Sequence, residues 1–208
     1  MKDIPLHGEM KSKLKEHLEI VKDEVNRLVS ELDEDRECIL CDFEDIQKKF
    51  VKIHSSAAYY YLQAYLTPFT SMHTELSRVA QHLSNRHHGA LIAIQRDDSV
   101  DPLIKEGTAL NAQFSTTLLE SIFYPGNPLH DGAVLIKTNH IISAGNVLPI
   151  STNELKGANK KLGMRHRAAI GLSERSDALV LVVSEETGRI SFAIGGKLYP
   201  VTTEELFL

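Results

Sequence analysis

The chain has 208 residues, of which 42% are hydrophobic and 25% are charged, and its formal net charge is −5. This length suits one domain of ordinary size with an appendage, and the apolar share is enough for a buried core. The acidic balance argues against a protein whose main task is to grip nucleic acid, because neutralising phosphates requires a basic surface. No segment has the pattern of a signal peptide or the apolar length of a membrane span. We therefore expect a cytoplasmic protein with neither a nucleic-acid nor a membrane partner.

The first third of the chain is predicted to form two amphipathic helices. Apolar residues recur at three- and four-residue steps from Met10 to Leu32 and again from Phe43 to Ala64, a spacing typical of helices with one apolar face. The polar stretch DEDRECILCD separates the two patterns, and Thr67-Pro68 ends the second. We expect a helical hairpin over residues 1–67, whose apolar faces must pack on the rest of the chain or on another subunit.

The polar stretch between the two helices contains both cysteines of the chain, Cys38 and Cys41. A zinc site is not expected, because the chain has no second CxxC and no histidine ligands lie nearby. We expect both thiols to be reduced, as is usual in the cytosol.

Residues 68–208 are predicted to form an α/β (or α+β) domain with a mixed central sheet flanked by helices. A helical pattern runs from Met72 to Leu83, and from Gly89 onward short apolar runs alternate with turns and helical segments. The predicted helices are FSTTLLESIF and RHRAAIGLSE. The predicted strands are ALIAI, the hairpin pair GAVLIK and HIISAGNVL, the pair DALVLVVS and RISFAI, and a last segment LYPV.

The first candidate site is the segment His130-Asp131-Gly132-Ala133, which immediately precedes a predicted strand. An aspartate there could orient a hydroxyl group or hold a divalent metal, and the small residues after it leave the backbone open to a ligand. On this stretch alone, an aspartate that closes a turn is the simpler explanation.

A second candidate is GMRHRAA, residues 163–169, at the start of a predicted helix. Helix N-terminal amides bind phosphate, and arginine adds charge-assisted hydrogen bonds. Because cations at a helix N-terminus oppose the helix dipole, an anionic ligand would explain their presence better than two solvated arginines do.

A third candidate is Ser184-Glu185-Glu186, just beyond a strongly apolar strand. Carboxylates at a strand end can bind a metal that bridges phosphates, although a charged hairpin turn explains this segment alone. Together, the three clusters supply a single carboxylate, a helix start with arginines that could bind an anion, and a pair of carboxylates. All of them lie at the ends of predicted strands or helices. This combination indicates metal-assisted phosphoryl or nucleotidyl transfer. A P-loop, a dinucleotide-binding GxGxxG and a GxSxG nucleophile motif are all missing from the sequence.

The segments GALIAI, GTALNAQFS, NPLHDGAVLI, RHRAA and DALVLVVSEETGRIS occur in the order found in the diadenylate cyclase domain. The resemblance spans about residues 85–197, and the joint presence of the DGA and RHR signatures makes it specific. The helical N-terminal region resembles the short soluble form of this enzyme found in spore-forming bacilli. Such enzymes condense two ATP molecules into cyclic di-AMP and release two pyrophosphates, with two domains facing each other.

The resemblance also implies roles for individual residues. Asp131 would activate or orient the 3′-hydroxyl of ATP, with Gly132 and Ala133 lining the ribose and phosphate. The remaining roles are the triphosphate motif at Gly163, Arg165, His166 and Arg167, a phosphate contact at Ser184, and adenine contacts at Val147 and Leu148. A Mg²⁺, Mn²⁺ or Co²⁺ ion would be held by Glu186, with Glu185 and His130 nearby.

Two positions depart from the pattern of this family. Met164 stands where a threonine often precedes RHR, and Val147 stands where relatives have an aromatic residue beside the adenine. Losing a stacking surface costs about 1–3 kcal/mol of base affinity. We therefore expect weaker ATP binding than in relatives that carry threonine and tyrosine.

The resemblance also implies that the protein assembles with copies of itself. Since each domain would bind one ATP, we expect a homo-oligomer, either a dimer of facing domains or a hexamer, with the helical hairpin restraining activity.

Two other functions are compatible with the sequence. One alternative is a metal phosphohydrolase, for which His130-Asp131 and His87-His88 would supply ligands. Another is a non-catalytic nucleotide sensor. This alternative stays open because Met164 stands where relatives often have a threonine.

Overall fold

The structure is a computed structural model that describes residues 8–32, 38–105, 107–152 and 162–201. The chain divides into two compact units, Lys2–Tyr61 and Leu62–Leu208. Within the described residues, no helix is both long enough and apolar enough to cross a membrane.

The N-terminal unit is helical, as the apolar spacing predicts. Helix α1 spans Gly8–Ser30 and helix α2 spans Ile39–Leu66, so α2 ends directly before Thr67-Pro68. An ion pair between Lys49 and Glu24 links the two helices. The predicted helical pair is confirmed, while most of the polar stretch between the helices, residues 33–37, lies outside the described residues.

The expectation of two reduced thiols is wrong for this structure, because Cys38 and Cys41 form a disulfide. Their Cα atoms are 5.4 Å apart, which is within the range that a disulfide spans without backbone movement. Cys38 immediately precedes α2 and Cys41 lies in its first turn, so one turn of chain brings the two side chains together.

The second unit contains a seven-stranded mixed sheet in the order β2-β4-β3-β1-β5-β6-β7. The strands are β1 Ala90–Gln95, β2 Thr108–Gln113, β3 Ala133–Lys137, β4 His140–Asn146, β5 Leu179–Val183, β6 Ile190–Ile194 and β7 Lys197–Val201. Strands β5 and β6 are buried along their whole length, and β1 and β3 are buried except at their last residue. Burial on both faces explains why these strands read as continuous apolar runs rather than as alternating ones.

Three further helices belong to this unit: α3 His73–Asn85, α4 Thr116–Ile122 and α5 Met164–Ser173. Helix α4 begins where predicted, since the Ser115 hydroxyl accepts a hydrogen bond from the Leu118 amide at 3.4 Å. Helix α5 packs Ala169 and Leu172 onto the apolar side chains of the sheet. The predicted α+β architecture with a mixed sheet is confirmed.

Strand β2 is the element that the sequence patterns did not predict. Its residues are mostly exposed or half-buried, and its pairing with β4 shifts register between Ala109 and Ala112. Asn111, inside this irregularity, has φ +47°. A bulged and largely exposed strand does not show the alternation by which strands are recognised.

The pairing of the central strand β1 determines where the ends of its neighbours lie. Strand β1 runs parallel to β3, with Ile92 opposite Val134, and antiparallel to β5, with Ala90 opposite Val183. The starts of β1 and β3 and the end of β5 therefore lie at one edge of the sheet. Two of the three predicted polar clusters adjoin these strand ends.

Candidate active site

A cleft of about 1120 Å³ opens at this edge of the sheet. It is lined by residues preceding β3, by the end of β4, by the start of α5 and by the β5–β6 turn. The predicted site residues in its lining are Asp131, Gly132, Val147, Leu148, Gly163, Met164, Arg165, His166, Ser184, Glu185 and Glu186. The predicted residues His130, Ala133 and Arg167 are not among those that line it.

Asp131 is exposed at the mouth of the cleft, and Gly132 after it makes the turn into β3. Gly132 has φ +118°, and a Cβ atom there would lie 2.7 Å from the carbonyl carbon of Gly145 and 2.9 Å from the Asn146 oxygen. Only glycine fits both the conformation and the space. Ala133 is fully buried and begins β3 directly after this turn.

Asn146 is a site residue that the sequence analysis missed. Its side chain is 2% exposed and makes three hydrogen bonds: its Nδ2 donates to the Ala133 carbonyl at 2.8 Å, and its Oδ1 accepts from the Gly107 amide at 3.1 Å and from the Ser143 hydroxyl at 2.9 Å. The amide therefore joins the residue after Asp131-Gly132 to the segment before β2. The signal available in the sequence was a polar amide at the end of a predicted buried strand.

His130 is held by a hydrogen bond to the main chain. Its Nδ1 lies 2.5 Å from the Asn127 carbonyl oxygen. Because a carbonyl only accepts, Nδ1 carries a proton, and in the neutral ring the lone pair is then on Nε2. Histidines that ligate metals are commonly held in this way, with the second ring nitrogen donating to a carbonyl.

The start of α5 provides cationic groups for the cleft. Gly163 occupies the N-cap position without a side-chain cap, so the first amides of the helix are not covered by a side chain. The Arg165 guanidinium donates from Nη1 to the Glu185 carboxylate at 2.8 Å. Arg167 instead donates to the Ser151 carbonyl at 3.4 Å, beside the cleft.

His166 and Glu185 both have perturbed pKa values. Burial lowers the pKa of His166, the nearby Arg165 charge lowers it further, and Glu186 opposes this change. His166 is therefore neutral at neutral pH, and its ring can donate one hydrogen bond and accept another. The hydrogen bond and charge of Arg165 hold the pKa of Glu185 below its usual value.

The β5–β6 turn presents its acidic residues on an ordered backbone. The Ser184 hydroxyl accepts from the Thr187 amide at 3.3 Å, and the Gly188 amide donates to the Ser184 carbonyl at 2.9 Å. Glu185 and Glu186 are exposed at this turn. Both carboxylates thus face a cleft that also contains the cationic helix start.

Two apolar side chains in the cleft lining are exposed, Val147 just after β4 and Met164 at the start of α5. Val147 is 57% exposed and Met164 is 62% exposed. The main-chain N–H and C=O of Val147 are both paired with Lys105, at 3.2 and 2.9 Å, while Leu148 is buried. The exposed apolar surface can receive a planar ring, although it offers no aromatic partner for stacking.

Within the described residues, no group of three or more histidine, cysteine, aspartate or glutamate side chains is gathered for a metal ion. This donor set still fits Mg²⁺ or Mn²⁺, because such ions are commonly bound by one or two protein ligands together with substrate phosphates. The tautomer of His130 and the exposed carboxylate of Glu186 are suitable for that purpose.

The arginine-bearing start of α5 lies opposite carboxylates in one cleft at the edge of a mixed sheet, an arrangement that suits a nucleotidyltransferase. Residues 77–198 match the family described as DisA bacterial checkpoint controller nucleotide-binding, and residues 1–69 match the family described as Diadenylate cyclase CdaS, N-terminal. The chain belongs to the diadenylate cyclases, and within them to the CdaS type. The resemblance inferred from the motifs is confirmed.

Relatives match nearly the whole chain. Diadenylate cyclase CdaS of Bacillus thuringiensis (strain BMB171) is 52% identical over 95% of this chain and 97% of its own length. Cyclic di-AMP synthase CdaS of Bacillus subtilis (strain 168) is 47% identical over 92% of this chain and 91% of its own.

Two solved structures share the fold. A crystal structure from Bacillus cereus, described as a hypothetical membrane spanning protein, superposes with a TM-score of 0.81 at 52% identity and covers 94% of this chain and 95% of that one. A double mutant of DacA from Staphylococcus aureus superposes with a TM-score of 0.59 at 41% identity and covers 64% of this chain and 87% of that one.

Proposed function

We propose that the chain condenses two ATP molecules into cyclic di-AMP and releases two pyrophosphates. The observation that carries the proposal is the location of Asp131 at a glycine-opened turn on the same cleft as Arg165 and Glu186. A ribose hydroxyl needs a carboxylate with open space beside it, and a triphosphate needs cationic donors. Membership of the diadenylate cyclase family supports the same reaction.

In the proposed reaction, the 3′-hydroxyl of one ATP attacks the α-phosphorus of the other. The O3′–P bond forms as the bond to the pyrophosphate oxygen breaks, and the hydroxyl proton leaves toward the Asp131 carboxylate. The Arg165 guanidinium and the amides at the start of α5 would stabilise negative charge on the phosphates. His166, Ser184, Gly132 and Gly163 would contact the phosphates or ribose. Arg167, beside the cleft, would act at its rim.

Adenine would lie against the exposed side chains of Val147 and Met164, and the main-chain groups of Leu148 would recognise its edge. Because the main chain of Val147 is already paired with Lys105, it is not free for that role. Ala133 supports the turn beneath the ribose.

The residues that would hold a divalent cation are His130, through Nε2, and Glu186, with Glu185 nearby. Such an ion, Mg²⁺, Mn²⁺ or Co²⁺, would neutralise phosphate charge when bound. The protein's own contribution is to orient these donors: the Asn127 carbonyl holds the His130 ring, and the β5–β6 turn holds Glu186.

Catalysis by this arrangement needs two copies. We propose that residues 68–208 are the catalytic domain and that residues 1–67 control assembly and activity, in a dimer of facing domains or a hexamer. We assign control to the helices because they carry exposed apolar side chains: among their described residues Val29, Leu40 and Phe50 are more than half exposed. Exposed apolar patches of this kind mark interaction surfaces.

The central experiment incubates the full chain with ATP and Mn²⁺, Mg²⁺ or Co²⁺ in parallel and identifies products by mass spectrometry. We expect cyclic di-AMP and pyrophosphate. In Asp131→Asn, which keeps the size of the side chain but removes its basicity, product should be lost while ATP binding remains. Formation of ADP or AMP alone would favour the phosphohydrolase. ATP binding without turnover in the wild type would leave a sensor or an enzyme still restrained by its own helices, and the deletion described next distinguishes the two.

A second experiment deletes residues 1–67. If these helices restrain the catalytic domain, turnover rises and the oligomeric state measured by light scattering changes. An unchanged rate in a deletion variant that unfolds cooperatively would refute the regulatory role.

A further inference from the structure

The guanidinium of Arg165 lies against a backbone position that carries no side chain. A Cβ atom added at Gly89 would be 2.5 Å from Nη1 and 2.7 Å from Cζ of Arg165, and 3.0 Å from Cβ of Glu185. Distances under 3.0 Å are essentially never found for real Cβ atoms. The space that the guanidinium occupies therefore exists because residue 89 is glycine.

The sheet brings these three residues together. Gly89 immediately precedes β1, and Ala90 pairs with Val183 at the end of β5. In this antiparallel register, the residue before Ala90 lies beside the turn that follows Val183, which contains Glu185. Arg165, in the first turn of α5, reaches this point from the other side of the cleft.

Glu185 is the hydrogen-bond partner of the Arg165 guanidinium. Its carboxylate accepts the Nη1 hydrogen bond at 2.8 Å. The Arg165 side chain is only 26% exposed, whereas that of Glu185 is 64% exposed. Within the part of the chain that the structure describes, this is the one hydrogen bond that the guanidinium donates, so its other N–H groups remain for a ligand.

We propose that Gly89 and Glu185 are positioning residues for Arg165: Gly89 leaves the space, and Glu185 holds the guanidinium with its remaining donors directed at the nucleotide phosphates. The inference rests on the proposed function and refines one part of it, because it makes Glu185 the partner of an arginine rather than a metal ligand. The cation is then held by His130 and Glu186 together with the phosphates.

The contact distances give the size of the effect. In Gly89→Ala, the guanidinium must retreat from 2.5 Å to a normal contact of about 3.5 Å, a movement of roughly 1 Å. The contacted atoms are the far end of a flexible side chain, so the shift costs little stability, but a displacement of this size in a group that stabilises charge can lower the rate on the order of 100-fold. The backbone itself accepts alanine, because Gly89 does not have the positive φ that disfavours L-residues.

A double-mutant cycle on the full chain tests the role of Gly89. We expect kcat/KM for cyclic di-AMP formation to fall on the order of 100-fold in Gly89→Ala, with the same melting temperature as the wild type. In the Arg165→Ala background, the Gly89→Ala change should have no further effect. The same cycle in the dissociation constant of α,β-methylene-ATP, which cannot release pyrophosphate, should show the same non-additivity. Additive losses, or wild-type kinetics in Gly89→Ala, would overturn the proposal.

Glu185 is tested by comparing two substitutions and a metal titration. Glu185→Gln, whose amide oxygen still accepts from Arg165, should retain most activity, while Glu185→Ala should lose about tenfold. The Mn²⁺ concentration for half-maximal activity should stay unchanged in Glu185→Ala and rise in Glu186→Gln. A rise in Glu185→Ala of the same size as in Glu186→Gln would show Glu185 to be a metal ligand and overturn its positioning role.

The two proposals fail in different ways. If neither the wild-type chain nor the chain without residues 1–67 forms cyclic product, the proposed function fails, and the binding cycle with α,β-methylene-ATP still decides whether Gly89 acts through Arg165. If the wild-type chain forms product but the cycle is additive, only the positioning role fails.

Discussion

Replacing Asn146 by alanine tests how the turn at Asp131 is held in place. The variant removes the Nδ2 donor to the Ala133 carbonyl and the Oδ1 acceptor for the Gly107 amide. Ala133 is fully buried and Gly107 is half-buried, so water cannot replace both partners. A buried polar group left without a partner costs about 1–3 kcal/mol, and the expected loss in free energy of unfolding is about 2–4 kcal/mol.

For a chain of this size, each kcal/mol shifts the melting temperature by about 2–4 °C, so Asn146→Ala should melt roughly 5–15 °C lower than the wild type. Calorimetry measures this shift, and steady-state kinetics should show a parallel fall in kcat/KM because the turn at Asp131 loosens. Ser143→Ala is the matched control: it removes one hydrogen bond of the same amide but leaves Oδ1 paired with Gly107. Its expected cost is about 1 kcal/mol. If Asn146→Ala melts no lower than Ser143→Ala, the reasoning is refuted.

Two further predictions concern the cleft itself. Val147→Tyr should lower the dissociation constant of α,β-methylene-ATP at least about fivefold, because stacking of the tyrosine ring on the adenine is worth about 1–3 kcal/mol. Val147→Leu, which adds no ring, is the control. Equal affinities of the two variants would contradict the prediction. Burial lowers the pKa of His166 in the folded protein. Below about pH 6.5 the unfolded chain therefore binds a proton that the folded chain does not, so the stability of the fold decreases as the pH is lowered. The drop in melting temperature between about pH 7.5 and about pH 5 should therefore be smaller in His166→Gln than in the wild type; equal drops in calorimetry would show that His166 does not contribute.

The sequence predicted the parts of the fold that depend on local patterns. Strands β1, β3, β5 and β6 are continuous apolar runs bounded by turns, and α4 begins at a serine that caps it. Strand β2 was missed because its bulge at Asn111 interrupts the alternation. The disulfide was missed because the expected cytosolic location was used to predict the oxidation state of the thiols. The spacing of Cys38, just before α2, and Cys41, in its first turn, brings the two within bonding reach.

The cleft residues that sequence reasoning found are those next to element ends, such as Asp131 before β3 and Ser184 after β5. Gly89 and Asn146 were missed because their roles come from contacts with residues distant in the chain. Nothing in the segment HHGALI indicates that its glycine lies against a guanidinium in α5. The individual roles of the site residues are predictions, which the variants of Asp131, Gly89 and Glu185 described above test.

The pairing of β1 with one parallel and one antiparallel neighbour has a consequence for how this protein folds. Both pairings join segments distant in sequence, so they form after slow chain closure rather than within local hairpins. The cleft exists only when both are complete, since each supplies one of its walls. A nucleotide that binds there is therefore a ligand of the finished sheet alone, and by mass action it stabilises that state over every partly paired intermediate. Nucleotide binding should therefore increase the protection of the amide hydrogens of β1 against exchange.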